Sequence, residues 1–142
     1  MTSSTDIEAY LKNSNHFHGC FAVNNLPSMP STFPSSLIVN TDPLSKPGDH
    51  WVGLVLTKRK CYYFDSFGLG VMDMDIIKFL KQAYKKVTIN NECIQHITSD
   101  KCGLYCIAFV NKVTSKMSYK NFISKFDLVQ LINNDKIVVS LM

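Results

Sequence analysis

The order of apolar residues predicts a domain that mixes strands and helices, and three stretches carry that reading. Over 51–57, Val52, Leu54 and Leu56 fall on one face of a strand, and the aromatic-rich run 61–67 reads as a second strand. Lys58, Arg59 and Lys60 join the two as an antiparallel hairpin. Over 102–116 the spacing predicts a helix that is apolar almost all round between Leu104 and Val110, the pattern of a helix buried in the middle of a domain.

The other elements follow in chain order. Thr5 or Asp6 can cap a short helix reaching Asn13, with Ile7, Tyr10 and Leu11 on one face. Residues 24–47 hold all five prolines and many serines, which is loop territory interrupted by Leu37, Ile38 and Val39 as a buried strand. Asp73 caps a helix over 73–84, in which Ile76, Ile77, Leu80, Ala83 and Tyr84 keep the helical period and Asp75 sits in the favourable first turn. Short strands are expected over 87–89 and 94–97, and two short helices over 119–126 and 128–132. The chain carries no internal repeat, low-complexity tract or second domain.

Composition narrows the class. The 142 residues fit one domain, 1–142, with 46% apolar and 18% charged residues, which suits a packed core rather than a disordered chain. No run reaches the roughly 18 apolar residues of a membrane helix. The first six residues are polar and lack the apolar core of a secretory leader, and 137–142 is too short to span a bilayer. Five cysteines, an odd number without framework spacing, point to reduced thiols in a reducing compartment. A net charge of +4 permits weak attraction to polyanions without requiring it.

Four residues carry chemistry: His50, Asp65, Gln95 and Cys102. A thiol attacks a carbonyl as thiolate and needs an imidazole nearby. The imidazole needs a group to fix its tautomer, and the tetrahedral oxyanion needs a donor. Cys102 stands where the loop 98–101 becomes the buried helix, and a helix start favours both a thiolate and an oxyanion. If the hairpin turn centres on Lys58 and Arg59, His50 lies across from about Phe67 and Val52 across from Asp65. His50 and Asp65 are then direct or diagonal neighbours, roughly 4.5–8 Å apart at Cβ.

Each residue alone has a plainer reading. Cys102 can be a small core residue, as Cys106 is one turn later. His50 can be a satisfied histidine, Asp65 a turn carboxylate before Ser66 and Gly68, and Gln95 a polar loop residue. His96 points away from Gln95 on the expected strand. His16, His18 and Cys20 alternate like a metal trio but lack a fourth ligand at compatible spacing, so no metal is expected. The lysines read as solvated surface or as a nucleic-acid groove, with no arginine cluster or stacking pattern to favour the groove.

The stretches GDHWVGLVL, CYYFDSFG and QHITSDKCGLYC, with LIVNT upstream, resemble the adenovirus protease (adenain) family, whose clan includes the ubiquitin-like-protein proteases. The likeness covers residues 17–110, and the gap from Gln95 to Cys102 matches adenain better than the deconjugating enzymes. The resemblance implies an α+β fold: a central buried helix carrying the nucleophile, packed on a mostly antiparallel sheet with surrounding helices. It implies Cys102 as nucleophile, His50 as general base and acid, Asp65 as orienting carboxylate, and Gln95 with the Cys102 N–H as oxyanion donors. It also implies that Trp51 packs beside the base and that Trp51 and Gly103 bind substrate.

Three departures stand out. Asp65 replaces the adenoviral Glu, the chain is shorter after the nucleophile helix, and Cys93 is too near Gln95 to match the cysteine that takes an activating peptide. An activating peptide, if there is one, is expected to bind differently or without a covalent link.

The expected activity is that of a cysteine endopeptidase cutting viral structural precursors after small, glycine-containing sites, in virion and host nucleus or cytoplasm. The alternatives are a deconjugase for ubiquitin-like tails and an inactive binding module. No cofactor is required; DNA or a peptide can act as stimulator, with Lys81, Lys85 and Lys86 as DNA contacts.

Overall fold

The structure is a computed structural model that describes residues 2–41, 50–71 and 73–142. Met1, the 42–47 part of the loop reading, and Gly48 and Asp49 of the GDHW stretch lie outside the described residues. A five-stranded sheet in the order β1 (Phe17–Ala22), β2 (Ser35–Asn40), β3 (Trp51–Leu56), β4 (Cys61–Phe64), β5 (Val87–Ile89) forms the middle layer. Its centre is antiparallel, as the hairpin requires, and the two outer strands run parallel to their neighbours, so the sheet is mixed.

Every residue of β2 and β3 is buried, because helices cover both faces of the sheet. Leu37, Val39, Val52, Leu54 and Leu56 pack with Ile76, Phe79 and Leu80 of α2 (Met74–Lys81) on one face. Ile38, Val55 and Phe64 pack on the other with α3 (Cys102–Thr114), flanked by α1 (Ser4–Leu11), α4 (Tyr119–Ser124) and α5 (Asn134–Leu141). Helix α3 comes close because β3 has a glycine under it: a Cβ on Gly53 would stand 2.8 Å from the Phe109 ring. Phe109 in turn stacks on Phe64 at 4.8 Å between centroids.

Several expected elements differ in extent. The first helix starts at Ser4, since Ser3 and Asp6 form a reciprocal capping box that places Thr5 and Asp6 inside the first turn; Tyr10 is 62% exposed rather than on the buried face. Strand β1 gave no clear alternation because Gly19, at φ +135°, breaks its register against β2. Strand β4 stops at Phe64, where Asp65 to Gly68 turns: the Gly68 N–H donates to the Asp65 carbonyl at φ +68°.

Helix α2, capped by Asp73, ends at Lys81; Ala83 is exposed, and Tyr84 is held beyond the helix by its hydroxyl on the Thr57 carbonyl. No strand forms over 94–97, for the Ile94 and Gln95 N–H groups both donate to the Ser66 carbonyl instead of a ladder. Helix α3 closes in a Schellman pattern with Lys116 at φ +74°, Met117 N–H reaching the Lys112 carbonyl. No α-helix forms over 128–132. The Asp127 carboxylate takes the Val129 and Gln130 N–H groups, a single 3₁₀ turn follows at Leu131–Asn133, and α5 begins after it. Among the described residues no helix is long and apolar enough to cross a membrane.

Candidate active site

The hairpin sets the first half of the site. Leu54 pairs with Tyr63 and Gly53 with Phe64, so the register centres on Lys58 and Arg59 as the spacing predicts. Extending it places Val52 opposite Asp65 and His50 opposite Phe67. The ring of Phe67 lies 5.1 Å from that of His50, and the His50 Nε2–H donates to Asp65 Oδ1 at 2.8 Å. This contact leaves Nδ1 as the nitrogen available to the Cys102 thiol, which hydrogen-bonds the same imidazole. The other end of His50 is held through its carbonyl, which accepts from the Thr41 N–H.

Burial alone would push the His50 pKa down. Hydrogen bonds to Asp65 and Cys102, and the charges of both, outweigh it and raise the imidazole to about 9. Asp65 and Cys102 therefore both favour the charged form of the ring.

Asp65 is 3% exposed and its placement is over-determined. Its Oδ1 also takes the Phe67 N–H at 2.9 Å. Its backbone is clamped by one side chain: Asn90 Oδ1 accepts the Asp65 N–H at 2.9 Å, and Asn90 Nδ2 donates to the Asp65 carbonyl at 2.6 Å. Asn90 lies just past β5, and no signal in the sequence separates it from an ordinary strand-end asparagine.

Cys102 opens α3 in the buried cluster with Trp51, Ile7 and Tyr105, and no side chain of the preceding Lys101 caps the helix. Gln95 is buried on the neighbouring loop. Ser66 Oγ donates to its Oε1 at 2.5 Å, and its Nε2 donates to the carbonyl and hydroxyl of Ser99 at 3.0 and 3.2 Å. A backbone carbonyl only accepts, so the amide nitrogen faces Ser99. Ser66 and Ser99 were not singled out by the sequence, since a serine in a loop carries no distinguishing pattern.

Trp51 and Gly103 both meet the N-terminal segment. The Trp51 indole N–H donates to the Thr2 carbonyl at 3.0 Å, and a Cβ on Gly103 would stand 2.7 Å from the Thr2 side chain. His16 and His18 are hydrogen-bonded to Ser36 and Asn111 and to Ser35, while Cys20 contacts the Ser4 carbonyl. Lys81, Lys85 and Lys86 are exposed at and after the end of α2, with the Lys81 ammonium on the Lys85 carbonyl at 2.6 Å.

The fold is that of a known group of proteases. The ASFV pS273R protease superposes at TM-score 0.66 over 96% of this chain and 66% of its own, at 17% identity. The SUMO protease Ulp1 does so at 0.53 over 96% and 78%, at 13% identity. The particular family is given by sequence: residues 17–141 match the adenovirus endoprotease pattern, and the chain belongs to that family. The proteases of Snake adenovirus serotype 1 and Ovine adenovirus D serotype 7 are each 32% identical over 51% of this chain. The matched region spans 44% of the length of each relative.

Proposed function

We propose that this protein is a cysteine endopeptidase that cleaves viral structural precursors after small, glycine-containing sites. The observation that carries this reading is the Asp65–His50–Cys102 contact at the start of a buried helix, in a chain of the adenovirus endoprotease family. The Cys102 thiolate attacks the scissile carbonyl carbon, and the Cys102 N–H and Gln95 Nε2 receive the oxyanion, Nε2 using the hydrogen left when the Ser99 carbonyl and hydroxyl share the other. The His50 imidazolium gives its Nδ1 proton to the departing amine, leaving a thioester on Cys102. Neutral His50 then takes a proton from water as the water attacks that thioester and keeps it, so the carboxylic acid leaves and the Cys102 thiolate beside the His50 imidazolium is restored. Asp65 holds the Nε2–H throughout.

Trp51 and Gly103, beside the thiol, border the substrate path in this reading. Lys81, Lys85 and Lys86 offer weak, sequence-independent contact to DNA as a stimulator. The enzyme works in virion and host nucleus or cytoplasm, where its thiols stay reduced.

A thiol-directed probe and a peptide library test the proposal together. Selective labelling of Cys102 with cleavage after small residues is the expected result. Labelling without cleavage of any peptide or precursor supports the inactive binding module instead. The likeness to Ulp1 favours one second reading, removal of ubiquitin-like tails. Turnover of such conjugates in preference to viral precursors would establish it and displace the first.

A further inference from the structure

We propose that Asp135, on the C-terminal helix α5, is a positioning residue for the oxyanion side of the site, acting through Ser99 on Gln95. The inference rests on the reading of Gln95 as an oxyanion donor.

An amide that is to stabilise a transient charge must be held before the charge appears. One end of Gln95 is held by Ser66 and the other by Ser99. The Ser99 hydroxyl has a single hydrogen, and its direction decides whether its lone pairs face Gln95. That hydrogen goes to Asp135 Oδ1 at 2.9 Å. An ionised carboxylate only accepts, so the Ser99 oxygen is left to accept from Gln95 Nε2 and from the Lys101 N–H at 3.2 Å. One hydroxyl therefore supports Gln95 and the residue before the nucleophile at once.

The carboxylate is itself anchored from the nucleophile helix. The Tyr105 hydroxyl, on α3 near Cys102, donates to the same Asp135 oxygen at 2.8 Å. Burial, together with this carboxylate, raises the Tyr105 pKa, so the phenol keeps its proton and stays a donor. The neighbouring Asn134 is fully buried and donates from Nδ2 to the Ile94 carbonyl at 2.7 Å. Helix α5 thus grips the Gln95 loop twice, through its backbone by Asn134 and through its side chain by Asp135. Without the carboxylate, the Ser99 hydroxyl is free to turn its hydrogen toward the Gln95 amide and loosen it.

The test compares Asp135→Ala, Asp135→Asn, Ser99→Ala, Gln95→Ala and the Gln95→Ala/Asp135→Ala pair in the full chain. It reads kcat, KM, Tm and the rate of Cys102 alkylation by iodoacetamide. Asp135→Ala should lower kcat on the order of tenfold with KM unchanged, as loss of alignment in the transition state does. Alkylation should be unchanged, since it forms no oxyanion. Asp135→Asn keeps an accepting oxygen and should keep most of kcat. In the Gln95→Ala background the second substitution should add under about twofold, because the two act as a unit.

Wild-type kcat in Asp135→Ala, full multiplication of the two losses, or a parallel fall in alkylation would each overturn the inference. If Asp135→Ala does not fold, Ser99→Ala decides: it breaks the same relay with α5 left in place, and must show the same loss of kcat. Wild-type kcat in Gln95→Ala is a separate result and removes the oxyanion reading itself.

Discussion

His50 is pulled in two directions, down by burial and up by Asp65 and Cys102, and the second effect prevails. The alkaline limb of kcat/KM should therefore fall near pH 9, where the imidazolium loses the proton it donates to the leaving amine. Asp65→Asn removes a raising charge and should shift that limb to lower pH while lowering the rate; a pH–rate profile checks both. The same raised pKa stabilises the fold. That stability is fully present below the free imidazole value of about 6.5 and lost as pH rises through about 9. The Tm advantage of wild type over His50→Ala should shrink across that window.

Cys102→Ala should abolish turnover while leaving the fold intact, at little cost in Tm, whereas the other thiols should tolerate Ala or Ser with activity largely kept. Burial pushes Cys20 up to about 12, Cys61 to about 11 and Cys106 well above the ordinary thiol value, so none is a thiolate at neutral pH. Gln95→Ala should lower kcat about 10²-fold with little change in KM, read by steady-state kinetics. A rise in KM alone would make Gln95 a substrate contact.

Among the elements, β3 and α3 come close together at Gly53 and Phe109. Gly53→Ala puts a methyl 2.8 Å from that ring. Overpacking of this kind should cost about 1–3 kcal/mol, measured by urea unfolding. Phe109 is pinned between Phe64 and Phe122 and has little room to yield. At the end of α2, charge reversal of Lys81, Lys85 and Lys86 should reduce any DNA stimulation and leave basal peptide cleavage unchanged. The DNA affinity should fall steeply between roughly 50 and 200 mM salt as counterions are released. Fluorescence anisotropy indifferent to salt would remove DNA from the proposal. The hairpin was readable in advance because its turn and its alternation are local: one register brings His50 to Phe67 and Asp65 together. Strand β1 and helix α5 were not, since Gly19 breaks the first pattern and the Asp127 turn displaces the second.

At the scale of the whole molecule, local sequence by itself determined the hairpin register, the burial of α3 and the four side chains to watch. Those depend on period-2 and helical patterns and on residue chemistry, all of which act over a few positions. The convergence of His50, Asp65 and Cys102, and what holds them and Gln95, was decided by tertiary structure. Asn90 clamps Asp65 from 25 residues away, and Asp135 reaches Ser99 from 36 residues away. The mixed character of the sheet also belongs to this level, because the parallel pairing of β1 with β2 and of β5 with β4 joins strands that no short turn connects. A buried polar group takes whichever partner the packed layers bring to it, and that choice is made only once the layers have formed.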